Sequence, residues 1–517
     1  MFIDKKNLFM YFVALVASLG GFQFGYEVGI LESIKNFTAF KMDFTTLYDK
    51  KFIVEGEMLT LKYSEKNNII NYLLMSMFSI GCVIGTFIVP RTCDFFGRKR
   101  SILFGAAFFG FGSLFAGVVE GIPLFYFSRV IMGIGVGILS TVCPMYIAET
   151  APAEKRGKLI TLYQLMITVG ILTAYIVRFF IENWLKNDSN VQWRVILGIQ
   201  VVPGFLLLIM MFFLPYSPRY YIWQERDDEA LRIVSKLRGM SSTRDPEIQT
   251  EFQNMKKSLE IERHEHSTGY SEIFTKEMLK RVLMVMGLQA LQQLTGINIV
   301  LGSYTKFLLN TLENKKEILN HSKLLLKLFN DMTYNQTAYL SYLNVVVNVI
   351  GTLPTFWFID KIGRKMILIV GSIGMTVSLT LLSVAATILD SNQNSELLIK
   401  IAIWASVICV LLFIFSFATS WGPVVWVYQS EAFPMRVRSK ATSLCSFANW
   451  SLFALIDTFF LLITQNFEIS LATSNLFLAF CCFISLFYTI LFVRETKGIP
   501  LEEMDSAFID VEKTKQK

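Results

Sequence analysis

A carboxylate, a guanidinium and a set of amides stand inside long apolar runs of this 517-residue chain. Glu27 lies within the run 8–30 and Arg129 within the run 123–147. A charge at mid-bilayer costs about 2.5–3.5 kcal/mol even on translocon scales, so such a group is protonated, paired or functional. Arg129 is the natural partner of Glu27. A partner's charge lowers a carboxyl pKa and desolvation raises it, so a pair that opens and closes can take up and release a proton. The alternative is a static structural pair. Six amides are similarly placed: Gln164, Gln292, Gln293, Asn298, Asn348 and Asn449. An amide both donates and accepts, so a group of them can match an array of hydroxyls in a dry site, where unmet hydroxyls are costly. Asn348 and Thr352 are four residues apart and share a helix face. Trp426 and Trp450 add flat apolar surfaces. Helix–helix hydrogen bonding by the amides, with packed or lipid-facing tryptophans, is the competing reading.

These residues need apolar helices to hold them, and the composition supplies them. Apolar residues make up 53% of the chain and charged residues 17%, against about 25% charged in a soluble domain. Disordered proteins, disulfide scaffolds and ordinary cytosolic enzymes are excluded. The seven cysteines lie in or beside apolar segments, the three histidines lie in polar ones, and neither set spells a metal site. No cofactor is expected. The net charge of +7 is spread between apolar runs, so no nucleic-acid surface is expected either.

Twelve runs are long enough to span a bilayer: 8–30, 68–90, 101–119, 123–147, 159–181, 194–215, 280–308, 338–360, 366–389, 398–429, 439–465 and 470–493. The short loops on one side carry Arg98, Lys99, Arg100, Arg156, Arg364, Lys365, Arg436, Arg438 and more. The other side's short loops carry only Arg178, Lys186, Arg194 and Lys400. The positive-inside rule then puts both termini in the cytoplasm. The triplets at Asn36, Asn187, Asn320 and Asn335 fall in the opposite, outer loops and are glycosylation candidates.

The charged stretch 216–279 divides the runs six and six, and a repeat crosses it. Asp94-Phe-Phe-Gly97-Arg98-Lys99 is echoed by Asp360-Lys-Ile-Gly363-Arg364-Lys365. Glu149-Thr-Ala-Pro152-Ala-Glu-Lys-Arg156 is echoed by Glu431-Ala-Phe-Pro434-Met-Arg-Val-Arg438. The fold class is therefore an all-α integral membrane protein of two pseudo-symmetric six-helix bundles, the arrangement of a secondary transporter. The expected domains are 1–215, a cytoplasmic linker at 216–279, 280–493 and a cytoplasmic tail at 494–517. The natural ion pairs are Arg98 with Glu149 and Arg364 with Glu431, with Asp94 and Asp360 near neighbouring helix ends. With Arg156 and Arg438 they form a candidate cytoplasmic gate that opens and closes. Gly133, Gly135 and Gly137 lie in an apolar helix with no strand before them, so they mark close helix packing rather than a dinucleotide loop. Gly422-Pro423 is expected to break the tenth run beside Trp426.

The chain resembles the sugar-porter family of the major facilitator superfamily over essentially its whole length. The matching residues include Gly20-Gly21-Phe-Gln-Phe-Gly25-Tyr26-Glu27, Arg129-Val-Ile-Met-Gly133-Ile-Gly135-Val-Gly137, Pro144-Met-Tyr146-Ile-Ala-Glu149 and Gln292-Gln293-Leu-Thr-Gly296-Ile-Asn298. They continue with Gly422-Pro423-Val-Val-Trp426, Asn449-Trp450 and Glu495-Thr-Lys-Gly498. The resemblance implies sugar contacts at Gln164, Gln292, Gln293, Asn298, Trp426 and Trp450, more loosely at Asn348 and Asn449, and an acid close to an arginine at Glu27 and Arg129. It implies a hexose carrier working by alternating access, functional as a monomer in the bilayer, with the plasma membrane as the default location. Proton symport is the leading mode and facilitated uniport the alternative. A sugar sensor is a third reading, disfavoured by the short stretch after the last run.

Three departures from the family pattern bear on that expectation. Tyr216 replaces the acid of Pro-Glu-Ser-Pro-Arg, which would deprive Arg219 of a local partner. Gly302-Ser303 precede Tyr304 where two tyrosines are usual. Phe453 stands where a polar residue often follows the tryptophan of the eleventh run, and Asp457 in that run has no assigned role.

Overall fold

The computed structural model describes residues 8–34, 40, 48–55, 58–65, 68–185, 189–240, 242–265, 269–301, 334–391, 395–466 and 470–508, with the side chains of 31–34, 48–75, 189–190, 264–265, 334–339, 396 and 457–466 excepted. Asn36, Asn187, Asn320 and the Gly302-Ser303-Tyr304 stretch fall outside these residues. So do the side chains of Asn335 and Asp457.

Apolar runs become helices because a backbone in lipid must satisfy its own hydrogen bonds. Among the described residues, ten helical stretches are long and apolar enough to cross a membrane. They begin with α1 (Leu8–Ile34), α2 (Asn68–Val118), α3 (Ile122–Thr150), α4 (Arg156–Trp184) and the pair α5 (Ser189–Ile199) and α6 (Val201–Phe213). α2 holds two of the expected runs and turns between them at Gly97, where φ is 79°. In the second half come α10 (Lys276–Leu294), α11 (Tyr334–Ile362), α12 (Arg364–Asp390), α13 (Glu396–Thr419) with α14 (Trp421–Glu431), and, beyond a further helix α15 (Arg438–Asn466) that is not among the ten, α16 (Leu471–Phe492). α15 covers the eleventh expected run. Phe87, Phe111, Phe127, Val370, Leu412 and Phe480 are exposed on these helices, as lipid-facing residues are.

Between the two sets lie α7 (Pro218–Trp223), α8 (Asp227–Leu237) and α9 (Pro246–Glu265), and a final short helix, α17 (Met504–Phe508), ends the described chain. Ile248, Phe252, Met255 and Leu259 are buried along one face of α9 at helical spacing. One element was not legible beforehand. An antiparallel hairpin, β1 (Tyr48–Glu55) with β2 (Met58–Glu65), follows α1, its register running from Tyr48 opposite Glu65 to Glu55 opposite Met58.

Two compact units emerge. The first comprises Met1–Thr150, Val169–Lys256 and Thr442–Ala454, and the second comprises Ala151–Thr168, Lys257–Ala441 and Leu455–Lys517. The start of α4 thus belongs with the second unit and residues 442–454 of α15 with the first. In the first unit α2 and α3 touch through glycines. A Cβ on Gly133 would overlap the Phe78 carbonyl, and one on Gly137 the Cys82 carbonyl. Close packing is the work of that glycine series.

The tenth run breaks earlier than expected. The non-helical residue is Ser420 (φ −131°, ψ −84°), and Pro423 sits in the first turn of α14. Pro423 cannot donate to the Thr419 carbonyl four residues back, and that carbonyl accepts from Thr355 Oγ1 instead. The α5–α6 junction at Gln200 has a similar origin: Pro203 cannot donate to the Ile199 carbonyl four residues back.

Candidate substrate site and ion-pair clusters

In the second unit, α10 presents three glutamines near its end, before the chain turns at Gly296 (φ 79°). Gln292 Nε2 donates to the carbonyls of Trp421 (2.8 Å) and Gly422 (3.2 Å), in the first turn of α14. Gln164 reaches the same turn from α4, its Nε2 only 3.1 Å from where a Cβ on Gly422 would stand. Asn298 Nδ2 donates to Gln293 Oε1 at 3.1 Å. Trp426 lies one turn along α14, with Tyr163 of α4 edge-on at 6.0 Å. Trp421 is fixed by its indole N–H, which donates to Ser372 Oγ at 2.8 Å. On α11, Thr352 Oγ1 donates to the Asn348 carbonyl, and Asn348 Oδ1 is buried without a hydrogen-bond partner among the described residues. This unit therefore gathers Gln164, Gln292, Gln293, Asn298, Asn348 and Trp426. It also holds amides that sequence reasoning missed. Gln289 is hydrogen-bonded to Gln429, and Asn344 is buried one turn before Asn348. Helical spacing from Gln292, Gln293 and Asn348 was the available signal.

Asn449 and Trp450 are in the first unit, both fully buried. The Trp450 indole N–H donates to Ser140 Oγ at 3.0 Å. Three rings surround the indole: Phe24 at 4.8 Å, Phe453 at 5.5 Å and Phe78 edge-on at 5.9 Å. Phe453 accordingly packs against the tryptophan it follows. Nearby in the same unit, Glu27 and Arg129 form an ion pair, with side chains 1% and 0% exposed. Outside that pair, neither carboxylate oxygen has a hydrogen-bond partner among the described residues. The Arg129 guanidinium lies over the Phe78 ring, 5.4 Å from its centre. Gln23, one turn before Glu27, donates to the Pro203 carbonyl.

The repeated charged motifs build matching clusters, one in each unit. Arg98 Nε donates to Glu149 at 2.9 Å, and Arg364 holds Glu431 through two bonds of 2.8 and 3.1 Å. A hydroxyl that follows each bundle's last helix donates to the same carboxylate: Ser217 to Glu149 Oε2 and Thr496 to Glu431 Oε2. Lys99 caps the last turn of α6 at Phe212, as Lys365 caps that of α16 at Ile490. Gly97 and Gly363 adopt the same left-handed turn, at φ 79° and 104°. Asp360 accepts from the backbone N–H groups of Gly157 (3.1 Å) and Lys158 (2.8 Å) and pairs with Arg364 at 3.1 Å. Arg156 lies 3.9 Å from Glu431 and donates to the Ile499 carbonyl. Asp94 is exposed, and Arg438 Nε donates to the Phe433 carbonyl.

The clusters differ at Tyr216, and the difference corrects the expectation for Arg219. In the second unit the corresponding residue is Glu495, which accepts from the N–H groups of Arg364 (2.9 Å) and Lys365 (3.1 Å). The acid is thus a helix cap and not an ion partner. Arg219 keeps a partner without it, donating to the Glu149 carbonyl. Tyr216 instead offers its ring to Lys99 at 5.0 Å and Arg100 at 5.9 Å, and stacks on Tyr221.

Below these helices in the second unit, Asp505 bridges Arg281 (2.7 Å) and Arg436 (3.2 Å). Burial alone would raise its carboxyl, but the two arginines outweigh burial and hold it below the ordinary value. Glu262 is moved the other way, raised by burial despite Arg438 and Arg436. Among the described residues no group of histidine, cysteine and acidic side chains could hold a metal ion.

A repeated helical chain with a lipid-facing exterior, buried amides and a buried ion pair is an integral, multi-pass membrane transporter of the major facilitator fold, not an enzyme. The family described as "Sugar (and other) transporter" matches residues 13–321 and 322–508. The low-affinity glucose transporter HXT3 of Saccharomyces cerevisiae is 32% identical over 500 residues, covering 96% of this chain and 81% of the yeast protein. The high glucose sensor RGT2 of the same yeast is 28% identical over 513 residues, 98% of this chain and 61% of the sensor. The proton:xylose symporter XylE, bound to 6-bromo-6-deoxy-D-glucose, superposes with a TM-score of 0.76 at 25% identity, covering 97% of this chain and 100% of XylE. The chain belongs to the sugar transporter family.

Proposed function

We propose that this protein carries a hexose, a glucose-like monosaccharide, across the membrane by alternating access, in symport with protons. The observation that carries the substrate reading is the convergence of Gln164 and Gln292 on the first turn of α14, with Trp426 one turn away. Amides beside an aromatic face suit a ring that bears hydroxyls on its edge and C–H groups on its faces. The names of the relatives support it, since HXT3 is called a glucose transporter and XylE a xylose symporter.

Coupling is assigned to Glu27 and Arg129. A carboxylate in a dry site exchanges its proton only when its partner moves, so opening the pair links protonation to the conformational cycle. The charged clusters around Glu149 and Glu431 would close the cytoplasmic end. The Lys and Arg distribution supports cytoplasmic termini and linker, and we place the protein in the plasma membrane. RGT2 keeps a sensor reading in view. Uptake of radiolabelled glucose into proteoliposomes, with and without an inward proton gradient, separates the readings. Symport predicts accumulation driven by the gradient. Equilibration indifferent to pH would leave uniport, and no flux despite sugar binding would leave a sensor.

A further inference from the structure

We infer that Phe78 is a positioning residue that couples the Glu27–Arg129 pair to Trp450. This rests on the proposed assignment of Trp450 to the sugar site and of the ion pair to protonation. All four residues lie in the first unit. Phe78, on α2, is 3% exposed and meets both groups with its ring. The Arg129 guanidinium lies over it at 5.4 Å, within the range of a cation–π contact. The Trp450 indole meets it at 5.9 Å with planes 84° apart, an edge contact. The far side of the indole is anchored, because its N–H donates to Ser140 Oγ and that hydroxyl donates to the Gly137 carbonyl.

The physical link follows from charge. While Glu27 is ionised it neutralises most of the Arg129 charge. Protonating Glu27 leaves a bare guanidinium in a dry environment, where Phe78 is an aromatic face already in contact with it. A cation–π contact strengthens when the cation is desolvated and uncompensated. The ring is drawn toward Arg129, and its edge contact with Trp450 changes. Because Ser140 fixes one end of the indole, the response is a tilt rather than a displacement. The Glu27 proton is thereby communicated to the tryptophan through one side chain.

The test is a double-mutant cycle with two readouts on the full-length protein in detergent. Phe78→Leu keeps apolar bulk and removes the ring, and Glu27→Gln mimics the protonated acid. The first readout is glucose Kd by calorimetry. Glu27→Gln should shift Kd about 2- to 30-fold in the native background, the range of a cation–π contact, and leave it unchanged in the Phe78→Leu background. The second needs no sugar. Trp450 emission, isolated by difference from a Trp450→Phe variant, should move on Glu27→Gln in the native background and stay still in Phe78→Leu. Ser140→Ala serves as the comparison, since it should alter Kd while preserving the response to Glu27→Gln. An equal emission response in both Phe78 backgrounds, or none in either, overturns the inference whether or not glucose binds. Absence of glucose binding with an intact Phe78-dependent emission response overturns the hexose assignment instead.

Discussion

Gln292 offers the most direct perturbation of the substrate site. Its Nε2 holds the Trp421 and Gly422 carbonyls at 2.8 and 3.2 Å, and the residue is 3% exposed. Gln292→Ala therefore removes a proposed ligand for sugar and a brace for the α13–α14 break. Loss of a partner for a buried hydroxyl costs about 1–3 kcal/mol, a factor of roughly 5 to 150 in affinity. The brace consists of two neutral bonds, each worth about 0.5–1.5 kcal/mol, so a lower thermal midpoint with retained folding is expected. Gln164→Ala provides the matched control. It touches the same turn from α4 without bracing it, so its effect should fall on affinity more than on stability. The assay is initial-rate uptake of labelled glucose at varied concentration, alongside thermal unfolding of the detergent-solubilised protein. An unchanged KM in both variants would refute the placement of the sugar on the first turn of α14. A raised KM in Gln292→Ala alone, in step with its stability loss, would reduce that residue to a brace.

Uptake by the wild type should rise as external pH falls, and Glu27→Gln should abolish accumulation while sparing equilibrative exchange, both read in proteoliposomes. Tyr216→Glu should restore the cap that Glu495 supplies in the other unit, raising the thermal midpoint by the equivalent of about 0.5–2 kcal/mol; a drop would show that the ring contacts with Lys99 and Arg100 matter more. Gly137→Ala should lower the yield of folded protein on size-exclusion chromatography, because its Cβ overlaps the Cys82 carbonyl. Asp505 has a depressed folded-state pKa, so its contribution is present above the ordinary aspartate range and lost as pH falls through its folded value. Asp505→Asn should therefore lower the thermal midpoint at neutral pH and narrow its difference from the wild type in acid.

The helices and their repeat were legible because lipid leaves few alternatives. An uninterrupted apolar run must be helical, and its flanking charges mark its ends. The pairing of Arg98 with Glu149 and of Arg364 with Glu431 was legible for a related reason: interleaved acids and bases at matching places in two repeats have few other partners. What escaped was mostly local backbone geometry. The break expected at Gly422-Pro423 is there, but the deviating residue is Ser420, in the turn before the proline, because the missing N–H frees the Thr419 carbonyl four residues back. The role of Tyr216 was misread because an acid beside an arginine suggests an ion pair, whereas Glu495 shows that backbone N–H groups take that acid. Phe78, Phe24 and Ser140 carry no signal in one dimension. A phenylalanine in an apolar run is indistinguishable from dozens of others until a guanidinium and an indole are found against its ring.

The membership of 442–454 in the first unit has a consequence for biosynthesis. Trp450 bonds to Ser140, Ser443 bonds to the Thr86 carbonyl and Phe447 packs on Phe87, so α2 and α3 find these partners in a segment made long after they emerge. At ribosomal rates of about 5–20 residues per second the delay after α3 emerges is on the order of tens of seconds. During that interval Thr86 and Ser140 face lipid, the translocation machinery or a chaperone. A nascent chain stalled before residue 442 would expose them indefinitely, giving membrane quality control a feature by which to tell an unfinished transporter from a complete one.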